Sequence, residues 1–204
     1  MRTAHTRIPM YVAVPLSMIS TIDLFITQAM PFFWLPGNDG RTFHLTPHDI
    51  GGCTAWGVTY SSWVAWEKQH GRVPTLSAFR ETPRQTFLPF FRAGYWNACQ
   101  CGDMGPIGVQ VFDAAANCGS GHAAAFLQTV LGVKVDDEIG PLTLAAMEHV
   151  DHRDLAASLC SQREAFYATR QTARYFERGW DARAERCRDL VVSLLSNEAT
   201  QHEP

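Results

Sequence analysis

Apolar residues recur along most of this chain with the spacing of a helix rather than the alternation of a strand. The first helix is predicted over residues 20–35, because four apolar residues fall on one face: Ile22, Phe25, Ile26 and Met30. Further helices are predicted over residues 60–70, from residue 82 onward with an interruption at Pro89, and over 107–117, 122–131, 140–150, 154–169 and 181–195. The stretch 107–117 is apolar nearly all round, which indicates a helix buried on every side.

A different pattern occupies residues 36–58. Pro36 and Gly40 bound a stretch that ends the first helix, and residues 40–58 are rich in glycine, threonine and aromatic side chains. Because glycine tolerates positive φ, this segment is predicted to be a loop or a short β-hairpin. The predicted fold class is therefore mainly α, with a small loop or β-hairpin over residues 40–58.

Composition narrows the possible partners. The 204 residues, of which 46% are hydrophobic and 18% charged, suffice for one compact core with at most a small annex. The net charge is −3, and the most basic stretch, residues 163–188, intersperses its arginines with acidic residues. A nucleic-acid binder concentrates Lys and Arg on one face, so the charge pattern predicts no nucleic-acid partner.

The amino-terminal segment has two interpretations. Arg2 and Arg7 precede an apolar run over residues 8–19. This run has the length of a signal-peptide core but contains prolines and lacks a clean cleavage site. Asp23 ends the run before it reaches the roughly 18 apolar residues of a membrane span. We expect a packed arm over residues 1–20 and no stable membrane span, with a targeting signal as the alternative.

The six cysteines lack the spacing of a zinc site, and Cys99 and Cys101 form a CxC rather than a CxxC pair. They are predicted to pack as small buried residues. A disulfide at Cys99 or Cys101 is the alternative for a protein that works outside the cytoplasm. No metal site is predicted.

Four motifs in order resemble one known family. Residues 48–59, HDIGGCTAWGVT, are similar to the D-P-G-G-x-T-x-x-G-I-T signature of the glycoside hydrolase family 108 muramidases, with Ile50 in place of proline. Residues 112–119 (FDAAANCG), 125–132 (AFLQTVLG) and 139–143 (IGPLT) resemble motifs of the family's carboxyl-terminal half, which is usually described as peptidoglycan-binding. The resemblance extends over residues 22–190, and it implies a lysozyme-like helical fold with the loop or hairpin at the active-site cleft.

The resemblance also implies a division of the chain. An arm over residues 1–20 would precede a muramidase half over 21–98, followed by a helical peptidoglycan-binding-like half over 99–195 and a flexible tail over 196–204. The implied reaction is cleavage between N-acetylmuramic acid and N-acetylglucosamine, without a cofactor.

The catalytic residues implied by the resemblance include one departure. In the family, a glutamate at the end of the first helix is regarded as the general acid, but this chain has no glutamate before Glu67, and Asp39 is the carboxylate available in its place. Asp49 would polarise a water and Thr54 would orient it. A gap of roughly 6.5 to 9.5 Å between the carboxyls predicts inversion of the sugar, and about 5 Å predicts retention. Alternatively, Asp39 is a turn residue, Asp49 caps a turn and Thr54 makes a local bond in a strand.

Five further residues are candidates for substrate binding: His48, Trp56, Tyr95, Trp96 and Asn117. Sugar faces stack on aromatic rings, and Tyr95 and Trp96 stand where the family presents aromatic groups near the cleft. Asn117 and Asp113 lie four residues apart on one helix face, where bracing of the active-site loop is the favoured interpretation and substrate contact the alternative. Trp63 and Trp66, three apart, are expected to belong to the core.

Two functions remain open from sequence. The first is a peptidoglycan hydrolase that acts on glycan strands at the bacterial cell wall or periplasm, exported or virion-associated without a convincing signal peptide. The second is an inactive, lysozyme-like relative that binds glycan or builds part of a phage particle or secretion apparatus, whose proteins the arm would contact.

Overall fold

The computed structural model describes residues 24–34, 43–45 and 52–201. The predicted arm over residues 1–20 and the candidates Asp39, His48 and Asp49 lie outside the described residues. What is described is mainly helical with one small antiparallel sheet, so the predicted fold class is confirmed. The strands are β1 (His44–Leu45), β2 (Cys53–Ala55) and β3 (Val58–Thr59). The helices are α1 (Met30–Phe33), α2 (Tyr60–Gln69), α3 (Leu76–Glu81), α4 (Leu88–Phe91), α5 (Pro106–Cys118), α6 (Ser120–Leu131), α7 (Pro141–Met147), α8 (His152–Ala168) and α9 (Ala173–Gln201).

The first helical segment departs from the predicted regular helix. A π-helical turn over Phe25–Ala29 leads directly into α1. Phe25 and Met30 are buried as predicted, but Ile26 is 50% exposed, so its assignment to the buried face is wrong. A π-helical turn closes its hydrogen bonds over five residues instead of four, which shifts the buried stripe away from the 3.6-residue period.

The segment predicted as a loop or a short β-hairpin contains a hairpin, so the second alternative is confirmed. β1 pairs antiparallel with β2, and β2 pairs antiparallel with β3. Trp56 and Gly57 form the two-residue connection between β2 and β3, with φ of 51° and 80°. Positive φ at both central residues is what a tight hairpin turn of the I′ type requires. This turn is consequently compatible with the twist of the strands on either side.

The sheet passes into helix without a connecting loop. Thr59, the last residue of β3, caps α2 because its hydroxyl accepts a hydrogen bond from the Ser62 amide at 3.2 Å. Helix α3, capped in the same way by Thr75, was not predicted. Further on, a 3-10 turn over Arg84–Phe87 leads into α4 and then into a π-helical turn over Arg92–Asn97. The helical segment changes just before Pro89, from the 3-10 turn to α4, and proline in the first turn of α4 loses no helical hydrogen bond.

Helix α5 forms the centre of the molecule. Every residue from Pro106 to Ala115 is buried, as predicted for a helix without an exposed face. The aromatic side chains of Phe25, Phe33, Phe91 and Trp96 surround Phe112 on this helix, with ring centres 5.5 to 6.3 Å from it. Helices α6, α8 and α9 pack on its other sides.

The last helix is longer than predicted. It begins at Ala173 instead of residue 181 and continues to Gln201, so residues 196–201 of the predicted flexible tail are helical. No helix among the described residues is long and apolar enough to cross a membrane. The six cysteines are free thiols, and four of them are buried as predicted: Cys99, Cys101, Cys160 and Cys187.

Candidate active site

The end of α1 touches the turn of the hairpin. The Trp34 indole nitrogen donates a hydrogen bond to the carbonyl oxygen of Trp56 at 3.2 Å. Gly57 lies against Phe33 so closely that a Cβ atom at Gly57 would come within 2.4 Å of the ring. These two contacts place the end of α1, from which residues 35–42 depart, against the turn that follows β2; residues 46–51 precede the same strand.

Three candidates belong to those two segments. Asp39 lies between Trp34 and Phe43 in the sequence, and His48 and Asp49 lie between β1 and β2. All three are outside the described residues, so the gap between Asp39 and Asp49, and with it the stereochemical outcome, stays a prediction. The catalytic assignment likewise stays a prediction.

Thr54 lies in the middle strand of the sheet. Its backbone is paired with His44 on one side and Thr59 on the other, and its side chain is only 5% exposed. The hydroxyl donates to the carbonyl of Gly52 at 3.4 Å, a long and therefore weak hydrogen bond. This geometry agrees with the strand alternative, while a role in orienting water stays a prediction.

The aromatic candidates separate into two classes. Trp56 and Tyr95 are half-buried, and the Tyr95 ring packs on Phe90 and Phe91. Burial raises the pKa of the Tyr95 hydroxyl, which therefore stays protonated at neutral pH and can donate a hydrogen bond. Both rings retain exposed surface for a ligand.

Trp96 does not. Its indole is 4% exposed and lies between Phe25 and Phe112, with ring centres 5.3 and 5.9 Å away, so it is a core residue and its assignment to sugar stacking is contradicted. Neighbouring residues in a helical turn point to different sides, so only one of Tyr95 and Trp96 can face a cleft. That spacing was the available signal in the sequence.

Glu67 is the first glutamate of the chain, but its surroundings make it a poor proton donor. It is 8% exposed, and both carboxylate oxygens accept hydrogen bonds from Arg72 at 2.6 Å. The hydrogen bonds and charge of Arg72 lower the pKa of Glu67. The carboxylate is therefore ionised near neutral pH, and it does not substitute for the missing general acid.

Asp113 occupies the centre of a buried charge network. Its carboxylate is fully buried and accepts hydrogen bonds from Arg163 and Arg183, each at a shortest distance of 2.6 Å. Burial alone would raise the pKa of Asp113, but the charges and hydrogen bonds of Arg183 and Arg163 outweigh burial and lower it. Asp113 has a structural role, but Arg163 and Arg183 lie on α8 and α9, so bracing of the active-site loop stays a prediction.

Asn117 belongs to the same network. Its side-chain oxygen accepts a hydrogen bond from the Tyr167 hydroxyl at 2.6 Å, and that hydroxyl accepts one from Arg163 at 2.5 Å. Burial raises the pKa of Tyr167, so its hydroxyl remains a donor. Asn117 is exposed, so substrate contact through its amide group stays a prediction.

Arg183 extends the network to the candidate site. Its guanidinium lies 4.6 Å from the centre of the Phe33 ring, the ring that packs on Gly57. A cation over an aromatic face is attracted by the electrons of the ring. The turn of the hairpin, the end of α1 and α9 are thus connected through Phe33.

The motif around Gln128 also has a structural explanation. This side chain is 1% exposed and donates hydrogen bonds to the Asp136 carboxylate and the Glu138 carbonyl at 2.8 and 2.9 Å. Its oxygen accepts from the amides of Asp136 and Asp137, both at 3.1 Å. One glutamine consequently holds the loop between α6 and α7, and this pattern was not recognised from the sequence.

Comparisons with known proteins agree with this arrangement. Residues 36–119 match the family described as glycosyl hydrolase 108, and residues 122–185 match a family described as predicted peptidoglycan domain. Among solved structures, the chain is similar to SagA of Brucella abortus, with a TM-score of 0.73, 28% sequence identity, and coverage of 82% of this chain and 93% of that one. No curated protein sequence matches this chain significantly.

The first family match extends through α5, whereas the predicted division between the halves lies at residues 98 and 99. The division of the chain into halves at residues 98 and 99 therefore stays a prediction. The first match includes Trp56 and Gly57 of the hairpin turn and the buried Asp113, which pairs with the last two helices. Phe33 and Trp34 lie just before it. The chain therefore contains a glycosyl hydrolase 108 region over residues 36–119, followed by a predicted peptidoglycan domain over residues 122–185.

Proposed function

We propose that this protein is a muramidase that cleaves the glycan strand of peptidoglycan by general acid catalysis. The observation that carries the proposal is the contact of Phe33 and Trp34 with the Trp56–Gly57 turn. It places the end of α1, which precedes the segment with Asp39, against the β2–β3 hairpin, whose first strand follows the segment with Asp49. Two residues, Ile50 and Gly51, lie between Asp49 and Gly52, so chain length alone keeps the Cα atoms of Asp49 and Gly52 within about 11 Å.

In this mechanism Asp39 protonates the oxygen of the departing sugar as the bond to the anomeric carbon breaks. Asp49 takes a proton from a water whose oxygen forms the new bond to that carbon, and Thr54 accepts or donates a hydrogen bond that orients the water. The ring passes through a state with oxocarbenium character, which the carboxylate of Asp49 stabilises. The half-buried rings of Trp56 and Tyr95 would contact the sugar, and so would His48.

The experiment measures reducing ends released from purified peptidoglycan. Wild type is expected to release them, and Asp39→Ala and Asp49→Ala are expected to lose on the order of 100-fold or more in rate. Asp103→Ala removes an exposed carboxylate elsewhere and is expected to retain full activity. An active Asp39→Ala variant would show that the acid is a different residue.

A second function is favoured by one specific observation, the absence of glutamate from residues 1–66. An aspartate side chain is one methylene shorter, and a displacement of about 1 Å can cost on the order of 100-fold in rate. If wild type is inert and Asp39→Glu gains activity, the protein is an inactive relative that binds glycan. Sedimentation with insoluble peptidoglycan then measures binding without hydrolysis.

We also propose that the protein acts at the cell wall after export or as part of a virion. The division into a hydrolase half and a peptidoglycan-binding-like half agrees with the order of the two family matches. Residues 1–20 are proposed as the contact with a neighbouring phage or secretion protein. Loss of that association on deletion of residues 1–20, with hydrolysis unchanged, is the expected result.

A further inference from the structure

A groove of about 380 Å³ lies on the side of α2. One side is formed by the second half of α2, and the other by the 3-10 turn and the first residues of α4. Helix α2 begins where β3 ends, and it rises about 1.5 Å per residue. The groove residues from Trp63 to His70 therefore lie about 5 to 15 Å along the helix from the sheet.

Aromatic groups line this groove. Trp63 is 5% exposed and forms a rigid base, since its ring packs against Phe87 at 4.6 Å. Trp66 is half-buried, and its ring lies 4.2 Å from that of His70. The His70 ring is held by a hydrogen bond between its Nδ1 atom and the Trp66 carbonyl oxygen at 2.8 Å. Trp66 and His70 thus provide exposed ring surface on which a sugar face can pack, and the buried Trp63 ring supports it from below.

Polar groups surround the rings. The Glu67 carboxylate is fixed by two hydrogen bonds from Arg72, and a carboxylate has lone pairs beyond those two bonds. On the opposite side, the Gln85 amide and the Thr86 hydroxyl are exposed, and neither side chain bonds to any residue that the structure describes. Fixed and free hydrogen-bonding groups therefore face each other across the aromatic surface.

We propose that this groove binds N-acetylhexosamine units of the glycan strand, away from the bond that is cleaved. Ligand sites combine aromatic surface with a few placed polar groups, which matches this lining. The ion pair of Glu67 and Arg72 contributes no net charge, which favours a neutral sugar over a charged ligand. The groove lies about 5 to 15 Å along α2 from the end of β3. The choice of glycan as ligand rests on the proposed function.

The probe for the experiment is a soluble N-acetylglucosamine tetramer, titrated into the full chain and followed by NMR. The indole N–H signal of Trp66, assigned with Trp66→Phe, is expected to shift, together with the side-chain amide of Gln85. Trp66→Ala is expected to weaken binding about tenfold or more. Lys68→Ala, on the exposed side of the same helix, is the matched control and is expected to bind as wild type.

Gln85→Ala combined with Thr86→Ala provides a second variant that removes only exposed groups, and it should weaken binding even if Trp66→Ala does not fold. Absence of binding at millimolar tetramer, or shifts confined to residues outside the groove, would overturn the proposal. Release of reducing ends is measured separately on the same proteins. Binding in the groove without hydrolysis rejects only the proposed function, and hydrolysis with no binding in the groove rejects only this inference.

Discussion

Arg183 joins Phe33 and Asp113: its guanidinium lies 4.6 Å from the ring centre of the first and donates a hydrogen bond of 2.6 Å to the second. Asp113 lies in the hydrolase match, whereas Arg163 and Arg183 lie in the peptidoglycan-domain match. The two matched regions therefore share one buried charge network. We expect them to unfold together rather than as independent domains.

Asp113→Asn tests the weight of this network. The variant leaves the guanidinium groups of Arg163 and Arg183 buried without their carboxylate, and breaking a buried ion pair on one side costs about 3 to 5 kcal/mol. Urea unfolding followed by tryptophan fluorescence and by circular dichroism measures the loss, and both signals should change in one transition. Asp189→Asn disrupts the exposed pair with Arg188, and it should cost less than about 1 kcal/mol.

Two results would contradict this picture. A loss for Asp113→Asn as small as that for Asp189→Asn would mean that the network contributes little to stability. Separate transitions in the two signals of the wild-type protein would mean that the matched regions unfold independently.

Acid should weaken the protein through the same carboxylate. The pKa of Asp113 is lowered in the folded state, whereas an unfolded aspartate has a pKa of about 3.9. Its stabilising contribution is complete above the unfolded pKa and decreases as the pH falls toward the folded pKa, because the unfolded state then binds the proton first. Between pH 7 and about pH 5 we expect this contribution to remain constant, and below about pH 4 to decline.

The measurement is the free energy of unfolding as a function of pH for wild type and Asp113→Asn. The difference between the two proteins should shrink as the pH falls below about 4. An unchanged difference down to the acid limit would show that Asp113 does not titrate between the folded and unfolded states in this range.

Gly57→Ala tests the contact that holds the candidate site. Alanine there must adopt a φ of 80°, and its Cβ would come within 2.4 Å of the Phe33 ring. Backbone strain of about 1 to 2 kcal/mol and displacement of the ring at about 1 to 3 kcal/mol predict a loss of about 2 to 5 kcal/mol. Gly71→Ala is the matched control, since its φ is 72° but no heavy atom lies within 4 Å of the added carbon.

The free energy of unfolding is measured for both glycine variants. Backbone strain is common to both, whereas crowding against Phe33 occurs only in Gly57→Ala. If the two variants lose the same amount, Phe33 moves aside at no cost and the contact does not hold the turn. If Gly57→Ala loses more, its activity on peptidoglycan should also fall by more than that of Gly71→Ala.

Local features of the structure follow from local features of the sequence. The two-residue turn requires positive φ at two adjacent positions, and Gly57 supplies one of them at low cost. The caps at Thr59 and Thr75 are likewise local, but only the helix after Thr59 was recognised. Helix boundaries were less accurate where tertiary packing extends a helix, as at the start of α9.

The sequence by itself determined the mainly helical class, the fully buried α5 and the hairpin between α1 and α2, because periodicity, glycine and caps act over a few residues. Tertiary structure decided that Trp96 belongs to the core and that Asp113 is paired with arginines 50 and 70 residues away. Which arginines pair with a buried aspartate so far away in sequence depends on how the helices pack, and no local sequence pattern specifies that packing.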